Sequence, residues 1–183
     1  MATLAESREI YTYQDYAKLP EGAPYQLING KLIMTPAPTI YHQRLAREIF
    51  MLLMNFVKHH RLGEMFFSPI DVYLSETETF QPDIIYVSND RLSIIGEKKI
   101  EGPPDLIIEI LSPTTAYYDL RHKKQIYEKH DVKEYWIVDP IETSVEVFEN
   151  KNKSFELFKK YDQSGILQSP LLEGLKVSLS KVF

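Results

Sequence analysis

The chain has 183 residues with 44% hydrophobic and 26% charged side chains, enough for one well-cored domain spanning 1–183 and short for two. A net charge of −5 argues against a broad, non-specific nucleic-acid binder, though not against a local basic patch. The absence of cysteine excludes disulfides and thiolate metal sites, no apolar run approaches the roughly 18–20 residues of a membrane span, and Met1–Arg8 lacks the regions of a signal peptide, which points to the cytoplasm.

Thr12-Tyr13-Gln14-Asp15 reads as a helix start that ends by Pro20. Tyr25–Ile28 and Lys31–Met34 flank Asn29-Gly30, a hairpin signal stopped by Pro36-Ala37-Pro38. From His42 to about His59, Leu45, Ile49, Leu52, Leu53, Phe56 and Val57 recur at helical spacing, and Gly63 is expected to end that helix. Strands are expected over Glu64–Leu74, Pro82–Val87 and Asp105–Leu111, the last broken by Ser112-Pro113-Thr114. A second helix follows over Thr115–His130, then the strand Glu134–Val138 closed by Asp139-Pro140. Short strands over Ser144–Phe148, Phe155–Tyr161 and Leu175–Leu179 complete the chain. The order predicts an α/β (α+β) fold: a central mixed sheet flanked by helices, with strand-rich N- and C-terminal additions.

Glu109 interrupts the apolar run Leu106-Ile107-Ile108-Glu109-Ile110-Leu111, which reads as a strand buried on both faces. A carboxylate there must shift its pKa or find a cation. Antiparallel pairing with the strand that Asp83 opens brings Asp83 beside Glu109. Asp105 falls about 13 Å away at the far end of the strand, so it is only a minor candidate. On a helical wheel Lys123 lies within about 60° of Ala116, Asp119, Leu120, Ile126, Tyr127 and His130, which directs its ammonium inward. Two carboxylates and a backbone carbonyl suit Mg²⁺, or Mn²⁺, which takes oxygen ligands and retains waters. With an ammonium alongside, this set suits phosphodiester hydrolysis.

Gln81-Pro82-Asp83, the run from Pro104 to Pro113, Asp119-Leu120 with Lys123 and Tyr127, and Glu134–Pro140 together resemble the Uma2 family, also called DUF820. That family is similar to the PD-(D/E)XK restriction-endonuclease-like nucleases, and the resemblance runs from Tyr13 to Phe183. It implies a restriction-endonuclease-like core acting on DNA, with Asp83 and Glu109 as metal carboxylates and Lys123 as the displaced form of the superfamily's lysine, whose usual position holds Leu111. Gln26 stands where the family commonly has an acid, which favours the alternative of a non-catalytic nucleic-acid-binding or regulatory module. A glycosidase-type carboxylate pair is opposed by the inward Lys123.

Further candidates are secondary. Glu48 and His42 lie on the first long helix, where the superfamily often supplies an extra acid. Glu48 reads as a solvated position and His42 as a helix-start residue or phosphate contact. Arg121, Lys124 and Lys58 are candidates for contacts to the DNA backbone, although charge clusters are more often solvated helix faces. Asp71 is undecided, Tyr135 and Trp136 read as core, and Asp139 as a turn acid. A homodimer fits a nuclease that cuts two strands.

Overall fold

The computed structural model describes residues 10–112 and 118–183. The segment Met1–Arg8, the Pro113-Thr114 break, the helix start at Thr115, Ala116 and the side chain of Asp119 lie outside the described residues.

Helix α1 (Tyr13–Tyr16) is one turn, begun by Asp15, whose carboxylate accepts from the Thr12 N–H at 3.2 Å. Strands β1 (Tyr25–Ile28) and β2 (Lys31–Met34) form the expected hairpin. Asn29 and Gly30 both take positive φ, 50° and 67°, as a two-residue type I′ turn requires. Helix α2 (Ile40–His60) is capped by Thr39, whose hydroxyl accepts from the His42 N–H. It buries His42, Leu45, Ile49, Leu53 and Val57 along one stripe. Its end departs from expectation: Arg61, not Gly63, takes the left-handed cap at φ 54°. Gly63 instead opens β3 (Gly63–Phe67), where a Cβ would stand 2.1 Å from the Val87 carbonyl oxygen, so close strand packing requires glycine there.

The expected strand Glu64–Leu74 is two strands. Pro69 offers no N–H to a ladder, and beyond it β4 (Asp71–Ser75) joins a different sheet from β3. The three-residue strands β5 (Glu78–Phe80) and β7 (Lys99–Glu101) were not expected, being too short to show a period. Between them lies β6 (Ile84–Ser88), followed by β8 (Leu106–Ile110). The helix expected through His130 is a π-helical segment, Tyr118–Lys123, running into α3 (Lys124–Lys129). Its wider turn breaks the 3.6-residue wheel: Lys123 and Tyr127 are buried, but Leu120, placed inward by that wheel, is 44% exposed. Strands β9 (Glu134–Asp139), β10 (Ser144–Asn150) and β11 (Phe155–Asp162) follow. Near the C-terminus only β12 (Ile166–Leu167) and β13 (Val177–Ser178) pair, so the expected strand Leu175–Leu179 shrinks to Val177–Ser178.

The main sheet is mixed and six-stranded, in the order β11-β10-β9-β8-β6-β3, with β8 and β9 parallel. Ile84, Tyr86, Leu106, Ile108, Trp136 and Val138 face α2 and the C-terminal segment in one core. Ile85, Val87, Ile107, Tyr135 and Ile137 face the other way, toward Tyr127 of α3 and the five-stranded sheet β2-β1-β5-β4-β7. The alternation along β6, β8 and β9 thus buries both faces, which is why these strands read as continuous apolar runs. Glu134 is fully buried, accepts from the Trp136 indole of its own strand at 2.5 Å, and ties β9 to the C-terminal segment by accepting from the Leu171 N–H at 2.8 Å. Burial pushes its carboxyl above the usual carboxylate range, against the pull of these donors. No helix among the described residues is long and apolar enough to cross a membrane.

Candidate metal and catalytic site

Strands β6 and β8 are antiparallel with Ile84 opposite Ile108, so one step further along the register sets Asp83 opposite Glu109. The contact between them is made through the backbone: the Ile110 N–H, in the peptide that follows Glu109, donates to Asp83 Oδ2 at 2.7 Å. Asp83 is held in turn from its own carbonyl, which accepts from the Ser68 N–H at 3.0 Å. Gln81, just ahead of it, donates its N–H to Gln26 Oε1 and its side-chain amide to Asp71 Oδ1. Gln26 is therefore buried as an acceptor that fixes the segment leading to Asp83. Asp71, undecided from sequence, accepts from both Gln81 and the Tyr16 hydroxyl. Burial, with the Asp71 charge beside it, pushes the Tyr16 hydroxyl well above its ordinary range.

Glu109 points to the face opposite α2. Its Oε1 accepts from Lys123 Nζ at 3.0 Å and from the Tyr127 hydroxyl at 2.8 Å. The π segment sets Lys123 at this depth, and Tyr127 is held edge-on to Phe80 with ring centroids 5.5 Å apart. Glu109 and Lys123 are only 3% and 2% exposed. A pair this buried persists only because each charge has its partner.

His42, a minor candidate from sequence, reaches the same place from α2. Its Nε2 lies 3.0 Å from the Ile110 carbonyl oxygen and 3.4 Å from Asp83 Oδ2. Burial pulls its pKa down, but Asp83, the Ile110 carbonyl and the more distant charge of Glu109 outweigh it, and the net direction is up. Asp83 and His42 thus converge on the Ile110 peptide at the C-terminal end of β8, one residue beyond Glu109, whose carboxylate is held on the other face by Lys123 and Tyr127. Sequence reasoning left Tyr127 out of the site, although its place one helical turn beyond Lys123 was the available signal.

Other candidates lie elsewhere. Glu48 pairs with Arg47 at 2.6 Å on the outer side of α2. Lys58 lies sixteen residues beyond His42 on the same helix, about 24 Å along its axis. Lys124 folds its ammonium 3.4 Å over the Phe148 ring, where burial pulls its pKa down. Arg121 is exposed on the π segment. Asp105 is completely buried at the far end of β8. It accepts from the Ser88 N–H at 2.7 Å, with Lys133 Nζ 2.6 Å from Oδ1 as an ion pair and Arg91 at 3.7 Å. Burial alone would raise its pKa, but Lys133 and the Ser88 N–H hold it below the ordinary value. Tyr86, pushed up to about 12 by burial and by the Asp105 charge, reports the same anion. Asp139 accepts from the N–H groups of Ile141 and Glu142, as a turn acid does.

The donor set at the end of β8 is two carboxylates and the Ile110 carbonyl, all hard oxygens. Among the described residues no three His, Cys, Asp or Glu side chains come together as a metal cage. That combination does not suit a closed zinc or calcium site. It fits Mg²⁺ or Mn²⁺, ions held by one or two carboxylates with water filling the remaining positions.

The comparisons with known proteins agree with this architecture. The family model described as "Uma2: Putative restriction endonuclease" matches residues 13–180. A crystal structure of a "putative nuclease belonging to DUF820" from Anabaena variabilis superimposes with a TM-score of 0.78 and 25% identity, covering 94% of this chain and 97% of that one. An uncharacterized protein of Synechocystis sp. is 26% identical over 135 residues, 72% of this chain and 76% of the relative. The fold is that of the restriction-endonuclease-like nucleases, and the chain belongs to the Uma2 family.

Proposed function

We propose that this protein is a metal-dependent endonuclease that hydrolyses DNA phosphodiester bonds. The observation that best supports the reading is the β6–β8 register, which sets Asp83 opposite Glu109, with Asp83 accepting from the Ile110 N–H at 2.7 Å and Lys123 Nζ 3.0 Å from Glu109. Asp83, Glu109 and the Ile110 carbonyl would hold Mg²⁺ or Mn²⁺. When bound, such an ion polarises a phosphoryl oxygen and lowers the pKa of a coordinated water. Lys123 and Tyr127, both donating to Oε1, fix the rotamer of Glu109 and compensate its burial. The Lys123 ammonium also places positive charge where the phosphoryl group gains negative charge. His42 Nε2, 3.0 Å from the Ile110 carbonyl oxygen and 3.4 Å from Asp83 Oδ2, keeps the Asp83 carboxylate oriented.

One observation favours a second reading, a nuclease fold kept for binding or regulation. Each carboxylate already has protein donors, and the Glu109–Lys123 pair is buried, as a purely structural ion pair would be. Incubation with single- and double-stranded DNA separates the two. The nuclease reading expects cleavage in Mg²⁺ or Mn²⁺, loss of cleavage in EDTA, and loss again in Asp83→Asn. Cleavage that survives both chelation and that substitution would sink it.

A further inference from the structure

A cleft of about 460 Å³ lies between the first half of α2 and the end of β3, within the size range of sites that take small ligands. Its lining includes Ile40, Gln43, Arg44, Arg47, Phe50 and Phe67. The cleft is built on the same elements as the site, α2 and the β3–β6 pair. Ile40 is two residues before His42 on α2, and Phe67 pairs with Ile84, the neighbour of Asp83. The next residue, Ser68, donates its N–H to the Asp83 carbonyl.

The walls are apolar and aromatic. Phe67 and Phe50 meet edge to face with centroids 5.0 Å apart, yet Phe67 remains 60% exposed and Ile40 76% exposed. The rim is cationic in a chain whose net charge is −5. Arg44 has no carboxylate partner among the described residues. Arg47 has only an exposed pair with its neighbour Glu48, the kind of pair that contributes little and is readily redirected. Apolar, aromatic walls with two guanidinium groups in the lining match a nucleotide strand, whose bases stack on aromatic rings while its phosphates take the cations. A second copy of the chain fits less well. A two-fold contact would set each Arg44 and Arg47 against the same like-charged patch.

We propose that this cleft is a subsite for one unpaired nucleobase of the substrate strand next to the scissile phosphate. Phe67 and Phe50 form its stacking wall, Gln43 meets the base edge, and Arg44 and Arg47 take the flanking phosphates. The assignment rests on the nuclease reading and adds a preference for single-stranded or locally opened DNA.

Fluorescence anisotropy in EDTA, with a labelled oligothymidylate of about 12 nucleotides, tests it. Phe67→Ala should weaken binding roughly 5- to 150-fold, the loss of one stacked base, and Phe67→Tyr should restore it. An abasic version of the strand should lose a similar factor with wild type and lose nothing further with Phe67→Ala. Arg44→Ala should reduce the slope of log affinity against log salt by about 0.7. The subsite is overturned, with the nuclease reading intact, if wild type cuts DNA and Phe67→Ala binds the strand unchanged. It is also overturned if the abasic strand binds as tightly as the intact one. Conversion of a dimer to a monomer by Phe67→Ala, without loss of DNA affinity, would assign the cleft to a second copy instead. A wild type that neither binds nor cuts any DNA overturns the nuclease reading and the subsite with it.

Discussion

Lys123→Met, which keeps the apolar stem and removes the charge, should lower the rate of DNA cleavage by about 10²–10³-fold, the loss that follows removal of one charge-stabilising donor. It should also reveal what the lysine does in the resting protein. Glu109 is 3% exposed and Lys123 Nζ donates to its Oε1, so the variant leaves a buried carboxylate with the Tyr127 hydroxyl but without its ammonium. Breaking a buried pair from one side costs about 3–5 kcal/mol, which for a chain of this length lowers Tm by roughly 6–20 °C in EDTA. Added Mg²⁺ should recover part of that loss in the variant and change wild type less, because the ion supplies the positive charge that Glu109 has lost. Thermal denaturation with and without Mg²⁺ measures both effects. Equal Mg²⁺ responses in the two proteins would mean that the ion and Glu109 do not meet.

Asp105→Ala should have a large effect on stability and little on the chemistry. The side chain is completely buried and accepts from the Ser88 N–H while facing Lys133 and Arg91. Alanine leaves the Ser88 N–H without its charged acceptor and removes both ion pairs, an expected cost of about 2–4 kcal/mol. Lys133 is half exposed and can return to water, which keeps the cost below that of stranding a buried charge. The pH dependence has a definite sign. The folded pKa of Asp105 lies below its ordinary value of 3.8, so its stabilisation is fully present above that value. It is lost as pH falls through the folded pKa. Urea denaturation across the acid range should show wild type losing stability below about pH 4 more steeply than Asp105→Ala. Parallel pH profiles would contradict the assignment.

The difference between these two acids shows what the sequence made legible. Glu109 stood out because β8 is buried on both faces, and a carboxylate in such a strand needs a cation. Its separation from Asp105 followed from strand rise alone, and the structure gives Asp105 its own partners at the other end. Asp83 was legible because the β6–β8 pairing is between sequential long strands. The wheel brought Lys123 inward but also Leu120, because a π turn is invisible to a 3.6-residue period. The split at Pro69 and the short strands β5 and β7 escaped because three residues carry no period and their sheet partners are distant in sequence. Gln26 is an example: its acceptor role depends on Gln81, fifty-five residues away. His42 was read as a helix-start residue, which its capped N–H bears out, while the reach of its ring to Ile110 and Asp83 depends on how α2 crosses the sheet. Arg44, Arg47 and Phe67 drew no attention because arginines at helical spacing look like any solvated face until the end of β3 is set beside them.

The proposed metal site is tested most directly by titrating Mn²⁺ into the chelated protein and following free ion by electron paramagnetic resonance, with wild type beside Glu109→Gln and Asp83→Asn. Saturable binding in wild type that both substitutions abolish, while each variant keeps its fold by circular dichroism, is the predicted result. Absence of binding in wild type, or an isotherm unchanged in Glu109→Gln, would contradict it and leave Glu109 and Lys123 as a structural ion pair.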